Sequence, residues 1–567
     1  MTLVRLVRSY YLMRLPFADR SARVAAGDSS LPASATPRAD LAARVSDAPN
    51  RLSLLALVFI GGMASLALEM LGPRLMAPFF GTSLFIWANQ IGFTLIYLSL
   101  GYYLGGRLAD RRPSMRLLCG ITAIAAIFTG LIPFISGPVL NAAAIALNGE
   151  IPNVFVGSLF TVVLLFSVPT ILLGMVSPFA IRLTLSGVGS AGRAAGNLYA
   201  LSTVGSIIGA FLPVLVLIPD LGVRRSFFLV SVVLLGVSLW GLRGAERIGA
   251  AIPGALLLLP LLLPQLVSLG PLKGVSGIGY GTVVDERESL YNFIQVVRGP
   301  DGSMNLLLNE GHAIHSMYLS GRTLNGPSWY TDYALAAPLF AADGGANSRP
   351  RLAVVGLAAG TVAKQYTAVY GPVPIDGVEI DPSIIAVGRQ YFAMNEPNLH
   401  VTVADGRTFM RFSHDTYDVV MVDAYKPPYI PFQLTTTEFF QEARAHMAAD
   451  GVIVLNTSHV GSDYRLVHAF VNTLRQVFPS VYTVDVPDSL NTEIFATAQP
   501  TTPGAIQAHL AAAAQSTTTS PALATVASET EPLAQVAHAQ PGGIVFTDDQ
   551  APVEQISDQL IIDYIQH

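Results

Sequence analysis

The chain has 567 residues, a mean hydropathy of +0.50 and only 13% charged residues. An ordinary soluble protein carries about 25% charged residues, so a simple soluble globule is excluded. A formal net charge of −5 leaves no basic footprint for nucleic acid, and a single cysteine, Cys119, excludes an intrachain disulfide and a thiolate metal cluster.

Residues 1–51 form an Arg-rich tail. Seven apolar stretches follow, at roughly 52–71, 84–106, 117–136, 154–178, 196–218, 226–242 and 248–269. Most approach the ~20 residues that cross a bilayer as a helix. They predict a transmembrane domain over 52–270. The seventh stretch contains Pro253, Pro260 and Pro264 and reads as broken or re-entrant. No small-residue cleavage site follows the first stretch, which reads as an uncleaved span. Gly101/Gly105 and Gly205/Gly209 have the spacing that lets helices approach closely, and they predict bundle packing. Glu69 near the end of the first span predicts an ion pair with Arg74. Arginines crowd the tail (Arg5, Arg8, Arg14, Arg20, Arg23, Arg38, Arg44, Arg51) and the loop after the second span (Arg107, Arg111, Arg112, Arg116), which places the N-terminus in the cytoplasm.

Residues 278–320 alternate polar and apolar around the turn Gly299-Pro300-Asp301-Gly302 and predict a small antiparallel sheet in a β domain over 277–335. From Arg351 strands alternate with helices: RLAVVGL, then TVAKQYTAVY; PIDGVEI, then PSIIAVGRQYF; HVTVAD; YDVVMVDAY, then TTTEFFQEARAHM; and GVIVLNT. This rhythm predicts an α/β doubly wound, Rossmann-like domain over 336–500. The Ala-, Ser- and Thr-rich residues 501–545 read as a flexible low-complexity insertion. Order is expected to return in a C-terminal segment, 546–567.

In such a sheet the ligand lies beyond the carboxyl ends of the strands. The residues there are the turn Gly356 to Gly360, Glu379 with Asp381, Asp405 with Gly406, and Asp423. Glu379 follows Gly356 by 23 residues, where a carboxylate can hold ribose hydroxyls. Asp405 can accept from an adenine amino group, with helix capping the lesser alternative for an acid there. So many acids suit a cationic sulfonium better than a pyrophosphate.

On these residues the C-terminal half resembles the spermidine synthase family, the aminopropyltransferases, and most closely its members with a multi-span domain ahead of the synthase fold. The resemblance covers about 277–500 and the tail FTDDQAPVE. It rests on ESLYNFIQV (288–296), GLAAGT (356–361), VEID (378–381), ADG (404–406) and VDAYKPPYIPFQLTTTEFF (422–440), with ALEM (67–70) in the membrane part. It implies that Asp423 is the catalytic base and that Gly356, Ala358, Gly360, Glu379, Asp381, Asp405 and Gly406 bind the donor. It further implies that Glu288, Tyr330, Asp332 and Tyr425 line the acceptor pocket. The implied co-substrate is decarboxylated S-adenosylmethionine or S-adenosylmethionine, with no tightly bound cofactor and no metal. The implied partners are a small-molecule amine and membrane lipid, and a homodimer is left open. Two positions depart from the family: Ala358 and Lys426 stand where its soluble members carry aspartates. His315 falls where pocket residues should lie before the glycine turn, although a lone histidine on a strand is more often packed or at the surface. Because the donor is cytoplasmic, the catalytic domain is expected on that side of the cell membrane, with the seventh stretch not crossing. Two alternatives remain: an S-adenosylmethionine-dependent methyltransferase or other transferase, with a lipid acceptor open, and a non-catalytic transporter or sensor that binds the adenosyl ligand.

Overall fold

The computed structural model describes residues 51–566 apart from 81–83, 147–150, 186–190, 243–246, 253–254, 257–280, 310–312, 346–348 and 426–429. Five helices are long and apolar enough to cross a membrane: Arg51–Phe80, Met115–Ala143, Val156–Thr184, Ala191–Leu221 and Val223–Gly241. The second expected span is also a helix, Leu84–Arg111, but Asn89, Gln90 and three tyrosines dilute its apolar run, and it is not one of the five. The seventh stretch lies mostly outside the described residues, as does the tail before Arg51.

The helices pair as the glycine spacing predicts. A Cβ on Gly205 would meet Phe59 O at 2.1 Å and one on Gly209 would meet Met63 O at 2.0 Å. Gly101 likewise faces Ile171 O at 2.3 Å, and Gly105 faces Met175 Cα at 2.7 Å. Rising residue numbers on both partners make these two pairs parallel. Met115–Ala146 and Val223–Gly241 run antiparallel, since Ser238 bonds Thr122, Ser231 donates to Ala126 O and Arg224 donates to Pro133 O. The directions fit six successive passes, so residues 111–115 and 222–223 mark opposite ends of the bundle. The expected Glu69–Arg74 pair is corrected: the Arg74 guanidinium donates instead to the carbonyls of Leu290 and Tyr291.

Strands β1 (Thr282–Glu288), β2 (Phe293–Arg298), β3 (Met304–Leu308) and β4 (Ile314–Tyr318) form an antiparallel meander. The large sheet comprises β5 (Leu352–Val355), β6 (Ile375–Glu379), β7 (Leu399–Val403), β8 (Tyr417–Val422), β9 (Met447–Ser458), β10 (Ser480–Asp485), β11 (Asn491–Thr497) and β12 (Gln535–Val536). Its order is β12-β10-β11-β9-β8-β5-β6-β7, parallel from β9 to β7 and antiparallel beyond. Side chains alternate between its faces. Leu352, Val354, Val419 and Met421 enter one core, while Ala353, Val355, Val420 and Val422 enter the other. Fully burying each of the larger of these side chains, the valines, Leu352 and Met421, stabilises the fold by about 1.5–3 kcal/mol.

The low-complexity insertion is a correction. Residues 501–545 contain helices Pro503–Gln515 and Pro521–Thr530 and strand β12. Ile506, Leu510, Leu523, Val526 and Ala527 recur at helical spacing and are buried in the sheet core. The tail after it is held by Arg407, whose guanidinium bonds both Asp548 oxygens, at 2.6 and 2.7 Å, and Glu442.

Candidate active site

Chain order reverses between β8 and β5, and the register there brings the site together. Val355 pairs with Val422 on one side and with Val378 on the other. Gly356, Asp423 and Glu379 therefore emerge side by side, with Ala404 and Asp405 following β7. A Cβ on Gly356 would stand 2.4 Å from Asp423 O, and its φ is +95°, so only glycine fits the turn against the end of β8. Ala358 takes a left-handed φ of +48° and Gly360 one of +88°, where the latter opens helix Thr361–Tyr370.

A cavity of about 410 Å3 lies over these strand ends. Its walls include Gly356, Ala358, Glu379, Asp405, Gly406, Asp423 and Tyr425, together with His315 and Arg74. Glu379 accepts from Ala358 N and Asp381 N, each at 3.0 Å. Burial pushes its carboxyl up to about 7 against those two hydrogen bonds. Asp423 accepts from the Tyr330 hydroxyl at 2.8 Å and from Asn456 Nδ2 at 3.1 Å. Burial raises it to about 7 as well, the two donors pulling it down. Tyr425 donates to Asn456 O at 3.1 Å. His315 is half-buried, but its Nε2 is sealed and unpartnered, and desolvation pushes the imidazole down to about 4. It is neutral near pH 7 and part of the cavity wall, the rarer of the two places weighed for it.

Three expected site residues do other work. Asp381 is fully buried: it caps helix Pro382–Tyr391 through Ser383 N and accepts from Ser289 Oγ at 2.5 Å and Asn292 Nδ2 at 3.0 Å. Its carboxyl is spent on holding the 289–292 loop. Glu288 accepts from Val223 N at 2.5 Å, at the start of a bundle helix, and burial lifts it to about 7. Asp332 is buried under the loop it ties, accepting from Asn325 N, Gly326 N and Gln365 Nε2. Asp405 does both jobs weighed for it, capping Thr408 N at 2.9 Å while lining the cavity. Lys426 lies outside the described residues. Sequence reading missed Asn456, Glu493 and Arg74. The signal for the first two was a polar residue inside an apolar strand, GVIVLNTS and NTEIFAT.

Residues 351–503 match the spermine/spermidine synthase domain. A probable polyamine aminopropyl transferase of Bifidobacterium longum is 39% identical over 215 residues, 37% of this chain and 46% of the relative. The alignment thus spans about half the length of that protein. A polyamine aminopropyltransferase of Vibrio vulnificus is 29% identical over 217 residues, 37% of this chain and 70% of the relative. A solved probable spermidine synthase from Corynebacterium glutamicum aligns at 20% identity and a TM-score of 0.38, covering 47% of this chain and 97% of that one. Behind its bundle of apolar helices, the C-terminal part of this chain carries a spermine/spermidine synthase domain.

Proposed function

We propose that the chain is a membrane-anchored aminopropyltransferase. It transfers the aminopropyl group of decarboxylated S-adenosylmethionine to an amine such as putrescine and releases methylthioadenosine. The observation that carries this reading is Asp423, a cavity carboxylate held by Tyr330 and Asn456 at the strand end beside the Gly356 turn. The amine nitrogen attacks the carbon next to the sulfonium. The carbon–sulfur bond breaks, and its electron pair leaves with methylthioadenosine. Asp423 takes the amine proton, a role for which a value near 7 is well matched. Glu379 holds the ribose hydroxyls, and the cavity fixes the two reactants in line.

Ala358 leaves the aminopropyl arm without a carboxylate at that turn. Aspartate tolerates a left-handed backbone better than most residues, so Ala358→Asp fits the φ of +48°. It is expected to shift preference toward decarboxylated over intact donor, read as the ratio of kcat/KM for the two. Mass spectrometry of the products with each donor and putrescine tests the whole reading. Methylthioadenosine and spermidine support it. S-Adenosylhomocysteine would make the chain a methyltransferase, and binding without turnover would make it a sensor.

The anchor reading is supported by the bundle's exterior, where Ile91, Leu95, Ile96, Tyr199, Ile207, Phe211 and Leu215 are exposed, a large apolar surface that water penalises. The sheet domain docks at the bundle end marked by Arg74 and Val223, opposite the Arg107–Arg116 loop. Donor supply assigns the sheet domain to the cytoplasm, which puts that arginine loop and the Arg51 end of the bundle outside, the reverse of the positive-inside expectation for the N-terminus. Topology reporters inserted at 113 and fused after His567 are expected to read opposite faces, with cytoplasmic fluorescence at His567. Alkaline phosphatase activity at His567 would remove the cytoplasmic assignment.

A further inference from the structure

Behind Asp423 lies a second acid that the proposed reaction does not use. Glu493 is fully buried on β11, and neither of its carboxyl oxygens has a hydrogen-bond partner. In the register of the sheet it stands directly opposite Asn456 on β9. Asn456 spends its Nδ2 on Asp423 Oδ1, which fixes the amide's orientation because a carboxylate only accepts. Its other end, Oδ1, is buried and also unpartnered. Three orphaned acceptor atoms therefore sit on two opposed residues, with no donor among them. An ionised Glu493 would leave all three unsatisfied and bury an uncompensated charge. A single proton satisfies two of the three and removes the buried charge.

We propose that Glu493 is held as the neutral acid and donates its O–H to Asn456 Oδ1, locking the amide that keeps Asp423 in its ionised, proton-accepting form. This rests on the reading of Asp423 as the base. Two acids so close do not ionise together, and the surroundings decide which keeps the proton. Asp423 has two donors, Tyr330 and Asn456, that stabilise its anion. Glu493 has none, and burial followed by the Asp423 charge pushes it well above the usual carboxylate range. The other titratable groups that feel Glu493 are Tyr330, Tyr366 and Tyr425, all themselves raised and neutral. His459, a neighbour along the sheet, is engaged with Thr492 Oγ1. No cation appears in this set among the described residues. Glu493 is thus a positioning residue acting through Asn456.

Infrared difference spectroscopy of the full chain reads the proton directly, without turnover. At about pH 9, where ordinary carboxyls are ionised, wild type and Asp423→Asn should both keep a protonated-carboxyl C=O band that Glu493→Gln lacks. Absence of that band in wild type, or its persistence in Glu493→Gln, would overturn the proposal. Kinetics give the second arm. Glu493→Leu should lower kcat about tenfold by orphaning Asn456 Oδ1, and Glu493→Gln, whose N–H can reach the same oxygen, should recover most of it with little change in the KM for putrescine. A KM for the amine raised about tenfold or more in Glu493→Gln would instead make Glu493 an ionised ligand of the substrate ammonium. If wild type transfers no aminopropyl group to any amine, the functional reading fails, while the infrared band still decides where the proton resides.

Discussion

The helical bundle and the sheet domain solve opposite problems with their buried polar groups. In the bundle, helices approach until backbone meets backbone at Gly205 and Gly209. Several of its buried hydroxyls and amides are neutral and bonded nearby, as in Ser231 to Ala126 O and Asn89 to Ser158 Oγ. In the sheet domain, carboxyls gather out of water at the strand ends: Glu379, Asp381, the half-buried Asp423 and, two strands beyond Asp423, Glu493. The contrast separates a scaffold built by shape from a site built by charge. The two meet at the 288–293 segment. Arg74 and Val223 hold its backbone and Glu288, Phe293 enters the bundle core, and Ser289 and Asn292 hold Asp381, whose N–H bonds Glu379.

Breaking the scaffold alone should show in stability and not in ligand affinity. Gly209→Val drives a branched side chain into Met63 O and should cost about 3 kcal/mol, read as a lower unfolding midpoint in detergent, with donor affinity kept in the folded fraction. Breaking the charge-built site should do the reverse. Glu379→Gln should weaken donor binding by about 1.5–3 kcal/mol in calorimetry, with the unfolding midpoint of the apo protein preserved. An equal loss of donor affinity in both variants would erase the distinction.

The buried acids also carry a pH signature. The folded value of Asp423, about 7, lies above its ordinary one. The stability tied to its proton is full below the ordinary aspartate range and is lost as pH rises through about 7. Asp423→Asn should therefore raise the midpoint by about 2–4 °C at pH 8, and by much less at pH 4. An equal effect at both pH values would show that the aspartate is not strained by its burial. The smallest expected effect is at the seam. Arg74→Ala leaves the Leu290 and Tyr291 carbonyls without their donor and should weaken donor binding by about 1 kcal/mol, although Arg74 belongs to a bundle helix. No change in affinity would mean the two regions are docked without being coupled.

The sequence made the sheet domain legible because its strands are short apolar runs ending in small or acidic residues, and the register then had little freedom. The strand-end set Gly356, Glu379, Asp405 and Asp423 followed from that rhythm and converged on one cavity. The acids Glu288, Asp332 and Asp381 were misassigned because their partners, Val223 N, Gly326 N and Asn292, are set by tertiary contacts and not by spacing. Residues 501–545 misled by composition: alanine-rich text hid aliphatic residues at helical intervals. Asn456 belongs to a strand that reads simply as core, and only the pairing of β9 with β11 gives it and Glu493 meaning.

The most direct test of Asp423 as the base is the rate of methylthioadenosine release against pH, in wild type and in Asp423→Asn. Wild-type rate should climb from the acid side, bend near pH 7 as Asp423 ionises, and level above it. Asp423→Asn should fall by about 10²–10⁴-fold with donor affinity retained. A bend near pH 4, or an asparagine variant turning over at the wild-type rate, would contradict the account.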